Sequence, residues 1–317
     1  HNAGAGGAQK GLLDDYKYRI GLSATVDRYF DDIGTQIIKD YFGEVVITYD
    51  LGQAIADGRL VEYYYYPKYL QLEPDELDAY RQLSTKIAIL TSAIEKAKKQ
   101  KKKIFVEEQK LFNLNLKRAK IIKNARQKIP AFKDAIDKDP KIKHTFVFCS
   151  GEQLPEVKTI LNKRIPIPIS SASITQNDPP NKEDRERILQ DLANERYKVV
   201  IGIKILDEGI DVPEARNCFL LESTGNPKQF IQRRGRVLRI FRGEYKDGTK
   251  KEYARINDFL IMPEMGPDAS DEELNVHKNY IEKQLKRQIE MAKIAKNAPI
   301  CLAEIDKIKA KFGLDQI

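Results

Sequence analysis

The chain has 317 residues, with 55 Lys and Arg against 47 Asp and Glu and a formal charge of +8, a surplus that favours polyanionic partners. Three widely spaced cysteines and three histidines show no metal-ligand spacing, which excludes a spaced metal site, and no apolar run is long enough to span a bilayer, so no membrane partner is expected. Cys149 and Cys218 sit in apolar strand-like runs and read as buried thiols in a reducing, cytoplasmic setting.

The length allows one to two domains. The opening His1-Asn2-Ala3-Gly4-Ala5-Gly6 lacks a Met, a basic n-region and an apolar h-region, and reads as part of a longer protein. A strand is expected at Tyr18 to Leu22, a helix around Ile33 to Phe42 and a strand at Val45 to Tyr49. A helix through Gly52 to Asp57 and a turn at Asp57-Gly58 then lead to a strand at Glu62 to Leu70. From Pro74 the period changes, and Leu77, Tyr80, Leu83, Ile87, Leu90 and Ile94 recur at helical steps. That helix runs into Lys96, Lys98, Lys99, Lys101, Lys102 and Lys103, either a solvated face or turn or a phosphate-contacting arm. A second helix is expected over about Val106 to Ile129, interrupted or ended by Pro130. Together these helices read as an insertion of about 74–140.

From Thr145 strands and helices alternate: strand, helix Pro155 to Asn162, strand Ile165 to Ser170, helix Lys182 to Leu192 and strand Tyr197 to Ile203. Strand Asn217 to Leu221, a helix containing Phe230 to Arg234 and strand Ala254 to Ile261 follow. This order predicts an α/β fold with a doubly wound parallel sheet and ligands at the carboxyl ends of its strands. Beyond Pro267, Ser270-Asp271-Glu272-Glu273 is a capping-box signature opening a helix. Asn297-Ala298-Pro299 breaks it before a short helix near Leu302 to Phe312. This extension reads as packing against the sheet domain or as a docking helix for a partner.

Four blocks carry chemistry. Gln232-Arg233-Arg234-Gly235-Arg236-Val237-Leu238-Arg239 sets four arginines in eight residues, and a helical turn would point Arg236 and Arg239 the same way. Each is a planar, permanently charged fork that matches phosphate oxygens. Upstream lie Asp207-Glu208-Gly209-Ile210-Asp211-Val212-Pro213 after an apolar strand, Cys149-Ser150-Gly151 after another, and Ser23-Ala24-Thr25 near the start.

In this order and spacing the blocks resemble motifs III, IV, V and VI of the superfamily 2 helicases and translocases, over roughly residues 1–265. Gln232 opening the last block and Asp207-Glu208-Gly209-Ile210-Asp211-Val212-Pro213-Glu214-Ala215 resemble the XPB-like, UvsW-like and restriction-associated branch more than the DEAD-box proteins. The resemblance implies a RecA-like helicase C-terminal domain over 47–266, the tail of a first RecA-like domain over 1–46, and a helical extension over 267–317. It implies that His1 stands where an Asp-Glu-x-His box would end. No G-x-x-x-x-G-K-[ST] phosphate loop is present, so ATP and Mg2+ would be held mainly by an N-terminal domain preceding these residues, and the chain alone should not turn over ATP.

The resemblance also assigns roles. Arg236 and Arg239 match arginine fingers, worth on the order of 10³ to 10⁵ in rate in related phosphoryl transfer. Gln232 and Arg233 match positions linking the γ-phosphate to the interdomain contacts, and Gly209 and Asp211 match residues near the ribose. Ser23 and Thr25 match the hydroxyls that couple nucleotide state to domain closure. Nucleic acid would meet Ser150, Gly151, Thr175 and Gln176 across the opposite face. Relatives carry a Thr where Ile203 stands here. Lys204, next to it, either replaces that contact with a charge or the contact does not exist. The expected activity is that of an ATP-dependent helicase or translocase acting on single- or double-stranded DNA in preference to RNA, with a nuclease or other defence or repair partner. The alternatives are a nucleotide-independent nucleic-acid-binding module and the motor subunit of a restriction or defence complex.

Overall fold

The computed structural model describes residues 11–13, 15–23, 32–100, 104–140, 142–175, 177–203, 212–222, 235–266 and 269–317. Helices α1 (Asp32–Phe42) and α2 (Leu51–Ala56) precede strand β1 (Glu62–Leu70), followed by α3 (Pro74–Lys99), α4 (Phe105–Asn124) and α5 (Lys128–Asp137). The α/β part continues with β2 (Thr145–Phe148), α6 (Leu154–Asn162), β3 (Ser171–Ile174), α7 (Lys182–Ala193), β4 (Val199–Gly202), β5 (Asn217–Leu220) and β6 (Tyr253–Ile261). Two helices, α8 (Asp271–Ile294) and α9 (Ala298–Phe312), close the chain.

The six strands run parallel in the order β1-β6-β5-β2-β4-β3. Burial follows that order. The central β2, β4 and β5 are apolar runs buried on both faces, as a parallel sheet covered on both sides requires. Edge strand β3 is half-exposed over Ser171–Ser173. One face carries Phe146, Phe148, Val200 and Leu220 against Leu189, Leu192, Ile281, Leu285 and Ile305 from α7, α8 and α9. The other carries Val147, Val199, Ile201 and Phe219 against Phe132, Ile136, Val157 and Leu161 from α5 and α6. The sheet is therefore doubly wound, with its insertion and its C-terminal extension both helical.

The extension packs against the core. Edge strand β1 would otherwise present an open row of backbone groups. Instead Lys296 N donates to Tyr63 O at 2.8 Å, while Asn297 accepts from Tyr65 N at 3.0 Å and donates to Tyr65 O at 2.8 Å. Ser270 and Glu273 form the expected capping box at the start of α8. Pro299 lies in the first turn of α9, where a missing N–H costs no intrahelical bond, so the final helix starts before Leu302.

Four expected elements differ. Residues 18–22 are not a strand: Ile20 and Leu22 are exposed, and the segment lies along α1 through Arg19 Nη1 donating to Tyr41 O at 3.3 Å. Residues 45–49 are likewise not a strand, with Val46 and Ile47 exposed and no partner strand among the described residues. The strand expected over 165–170 begins at Ser171, because Pro166 and Pro168 have no N–H for the ladder and leave Ile165 and Ile167 in solvent. Finally, α4 stops at Asn124, and Pro130 sits in the first turn of the separate α5, where its missing N–H has no intrahelical acceptor to lose. The helix expected over 230–234 lies outside the described residues.

Candidate functional site

In a parallel sheet every strand ends on one edge, and the ends of β2, β3, β4 and β5 are joined there. Leu221 N and Glu222 N both donate to Phe148 O, at 2.9 and 3.1 Å, joining the ends of β5 and β2. Ile203 N donates to Ile174 O at 3.0 Å, joining β4 to β3. Ser150 and Gly151 follow β2 and Thr175 follows β3, so these three stand on one edge. Gly151 is exposed. Ser150 is buried, and its side chain is already committed: Oγ accepts from Gln153 N at 3.1 Å while its amide donates to Gln153 Oε1 at 3.0 Å. Thr175 Oγ1 accepts from Asp178 N at 3.0 Å, which shapes the turn after β3.

The helical insertion is fastened to the same edge by groups that its sequence does not announce. Lys128 is fully buried, and its Nζ donates to Leu221 O at 2.8 Å, at the end of β5, and to Lys123 O at 3.3 Å. Burial pushes its ammonium down to about 7, against the opposing pull of Asp258 and Glu222. Lys123 pairs with buried Glu222 at 2.6 Å, and its carbonyl accepts from Gln153 Nε2 at 3.2 Å. The base of α4 is thus tied both to the turn after β2 and to the end of β5. A small apolar cluster of Leu72, Tyr80, Ile122, Ala125 and Ile261 supports it at the carboxyl ends of β1 and β6.

The arginines stand elsewhere. Helix covers Gly235–Val237 among the described residues and ends there. Val61 N takes Leu238 O at 2.8 Å, and Arg239 bridges Leu60 in antiparallel fashion, just before the amino end of β1. Arg239 therefore lies off the helix and at the amino edge of the sheet, so the shared helical face expected of Arg236 and Arg239 is corrected. The cause is the capture of consecutive carbonyls by other segments: Leu238 O by Val61 and Arg239 O by Lys251 Nζ at 2.6 Å. Arg236 and Arg239 are each half-buried. Ser23 is exposed in the segment before α1. Thr25, Gln176, Lys204, Gly209, Asp211, Gln232 and Arg233 lie outside the described residues.

Lys251 is the residue at this edge that sequence reading missed. It sits in Lys250-Lys251-Glu252, which has the look of solvated surface, yet it is 6% exposed and donates to three backbone carbonyls. Its ammonium is pushed down to about 7 by burial. Beside it, Arg255 pairs with Asp139 at 3.7 Å and Lys143 with Asp247 at 2.7 Å, so the charges around this edge are largely balanced. Among the described residues no group of three His, Cys, Asp or Glu side chains could hold a metal ion.

Residues 127–241 match the family model described as the helicase conserved C-terminal domain. Over these residues the chain is similar to a helicase C-terminal domain. This helicase domain match spans β2 to β5, with the Ser150 turn and both arginines inside it. The chain is 24% identical over 235 residues to the DNA 3'-5' translocase XPB2 of Sulfurisphaera tokodaii, covering 70% of this chain and 50% of that protein. It is 29% identical over 136 residues to the UvrABC system protein B of Mycoplasma mycoides, covering 40% of this chain and 20% of that protein. The crystal structure of the Pyrococcus furiosus Hef helicase domain aligns over 83% of this chain and 66% of that one, at 14% identity and a TM-score of 0.40. The chain therefore spans half the length of the first of these relatives and a fifth of the second.

Proposed function

We propose that this chain is the C-terminal motor portion of an ATP-dependent DNA helicase or translocase, with residues 1–46 the tail of a first RecA-like domain and 47–266 the second. The reading is supported by a division of labour across one sheet. Nucleic acid is gripped at the carboxyl edge and by the insertion, while Arg236 and Arg239 complete a nucleotide site from the other end. Charge is the observation that carries it. Residues 96–120 hold ten basic and two acidic residues, a surplus of eight that equals the net charge of the whole chain. The remaining residues are electrically balanced, so attraction for a polyanion is concentrated in the α3–α4 hairpin. Of the two readings of its lysine run, the phosphate-contacting arm is the one this concentration favours.

The nucleotide side is assembled from halves. These residues contain no phosphate loop and, where described, no metal cradle, so ATP and Mg2+ are bound by another domain of the full-length protein. The residues present fit the complementary role: half-buried guanidinium groups held by ordered backbone can offset negative charge on a phosphate that an opposing domain brings to them. Gly209, Asp211, Gln232 and Arg233 join this set in the proposal, and Ser23 with Thr25 couples it to domain closure. Ser150 acts by holding the Gln153 turn, and Gly151, Thr175, Gln176 and Lys204 complete the nucleic-acid set in the proposal. Contacts limited to phosphate and sugar give movement along DNA with little sequence preference.

The experiment compares the 317-residue chain with the full-length protein. The chain alone is expected to bind duplex and single-stranded DNA with steep salt dependence and to hydrolyse no ATP, whereas the full-length protein hydrolyses ATP faster when DNA is added. DNA binding by a full-length protein that never hydrolyses ATP would replace the motor with a nucleotide-independent binding module.

A further inference from the structure

Lys251, like Lys128, donates to backbone carbonyls, but it reaches three of them where Lys128 reaches two. Its Nζ donates to Pro213 O at 2.8 Å, to Ala215 O at 2.6 Å and to Arg239 O at 2.6 Å, and an ammonium has three N–H groups to give. Pro213 closes the Asp207–Pro213 block, Ala215 lies two residues past it, and the third acceptor belongs to Arg239 itself. The chain has left its helix by Arg239, where Val61 N donates to Leu238 O and Leu60 bridges Arg239. A carbonyl turned inward at such a point needs a donor, and Lys251 supplies it from the segment just before β6.

We infer that Lys251 is a positioning residue: it pins the backbone of Arg239 to the exit of the Asp211 segment and so fixes where the Arg239 guanidinium reaches. The inference deepens the motor reading and rests on it. It joins the two sequence blocks that the reading assigns to the nucleotide through a residue that belongs to neither. A displacement of about 1 Å at such a group costs up to about a hundredfold in rate, so a backbone anchor has leverage without touching a ligand.

The test uses Lys251→Met, which keeps the aliphatic stem and removes the donors, and Lys251→Gln, which keeps an amide donor, should the first variant fold poorly. Hydrogen exchange of the nucleotide-free protein should show the Val61 amide and the amides of 239–240 exchanging about tenfold faster, with Leu221 and Glu222 unchanged. In the full-length protein kcat for ATP should fall about tenfold or more with KM preserved, and the loss should vanish in an Arg239→Ala background. Unaltered exchange at Val61, or a kcat loss that simply multiplies with that of Arg239→Ala, overturns the inference. A wild-type protein with no DNA-stimulated turnover refutes the motor reading. Normal wild-type turnover with an unaffected Lys251 variant refutes only the anchor.

Discussion

His277 is buried where α8 meets α3 and α9, with Nδ1 and Tyr80 Oη 3.0 Å apart and its ring against Phe312. Burial pushes its pKa down to about 4, and Arg118 pushes in the same direction, while a bond with the Pro263 backbone opposes them. The folded state therefore binds fewer protons than the unfolded chain between about pH 4 and 6.5. Stability from this site is complete above pH 6.5 and is lost as pH falls, at up to about 1.4 kcal/mol per unit. Urea unfolding at pH 7.5 and 5.0 should show a larger acid loss for wild type than for His277→Phe, and equal losses would remove His277 from the account. The buried lysines are a different matter of legibility. Lys128 and Lys251 look in sequence like ordinary members of basic runs, and only the three-dimensional arrangement of Leu221, Pro213, Ala215 and Arg239 carbonyls makes them structural. By contrast Ser270 and Glu273 were legible because a capping box is a local device whose partners are three residues apart.

At the scale of elements, local periodicity determined most of the fold, and it failed where pairing depends on something distant. Strand β1 was readable at its full Glu62–Leu70 extent because Tyr63-Tyr64-Tyr65-Tyr66 is a run of strong strand formers, whereas Val45–Tyr49 has strand composition but no neighbour with which to bond among the described residues. The edge of β1 is covered by Asn297, a residue readable only as a helix breaker. Asn297→Ala removes two backbone partners of Tyr65 and should cost about 2 kcal/mol in chemical denaturation. A change below about 0.5 kcal/mol would mean that water replaces the amide there. The α3–α4 hairpin makes the second prediction at this scale. Replacing Lys96, Lys98 and Lys99 with Gln should weaken binding to DNA of any sequence and lower the slope of log affinity against log salt by about 2 to 3. An unchanged slope would return the run to a solvated helix face.

For the molecule as a whole, the two groups of proposed site residues lie at opposite edges of one doubly wound sheet. The turns after β2 and β3, together with the foot of the hairpin, gather at its carboxyl edge, while Arg239 and Lys251 stand at its amino edge. Sequence order revealed the α/β class, since strands and helices alternate along the chain from Thr145. It did not reveal this separation, because the placement of Arg239 depends on Val61 and Lys251, remote in sequence and each unremarkable alone. In the proposed motor, Arg239 acts on nucleotide while nucleic acid binds elsewhere. The direct measurement is ATP hydrolysis by the full-length protein, wild type against Arg239→Ala, with single-stranded DNA, duplex DNA or RNA added and with nucleotide and DNA affinities measured alongside. The account predicts that DNA stimulates the wild type and that the substitution lowers turnover by on the order of 10³ or more with both affinities retained. Turnover left intact while DNA affinity falls would contradict it.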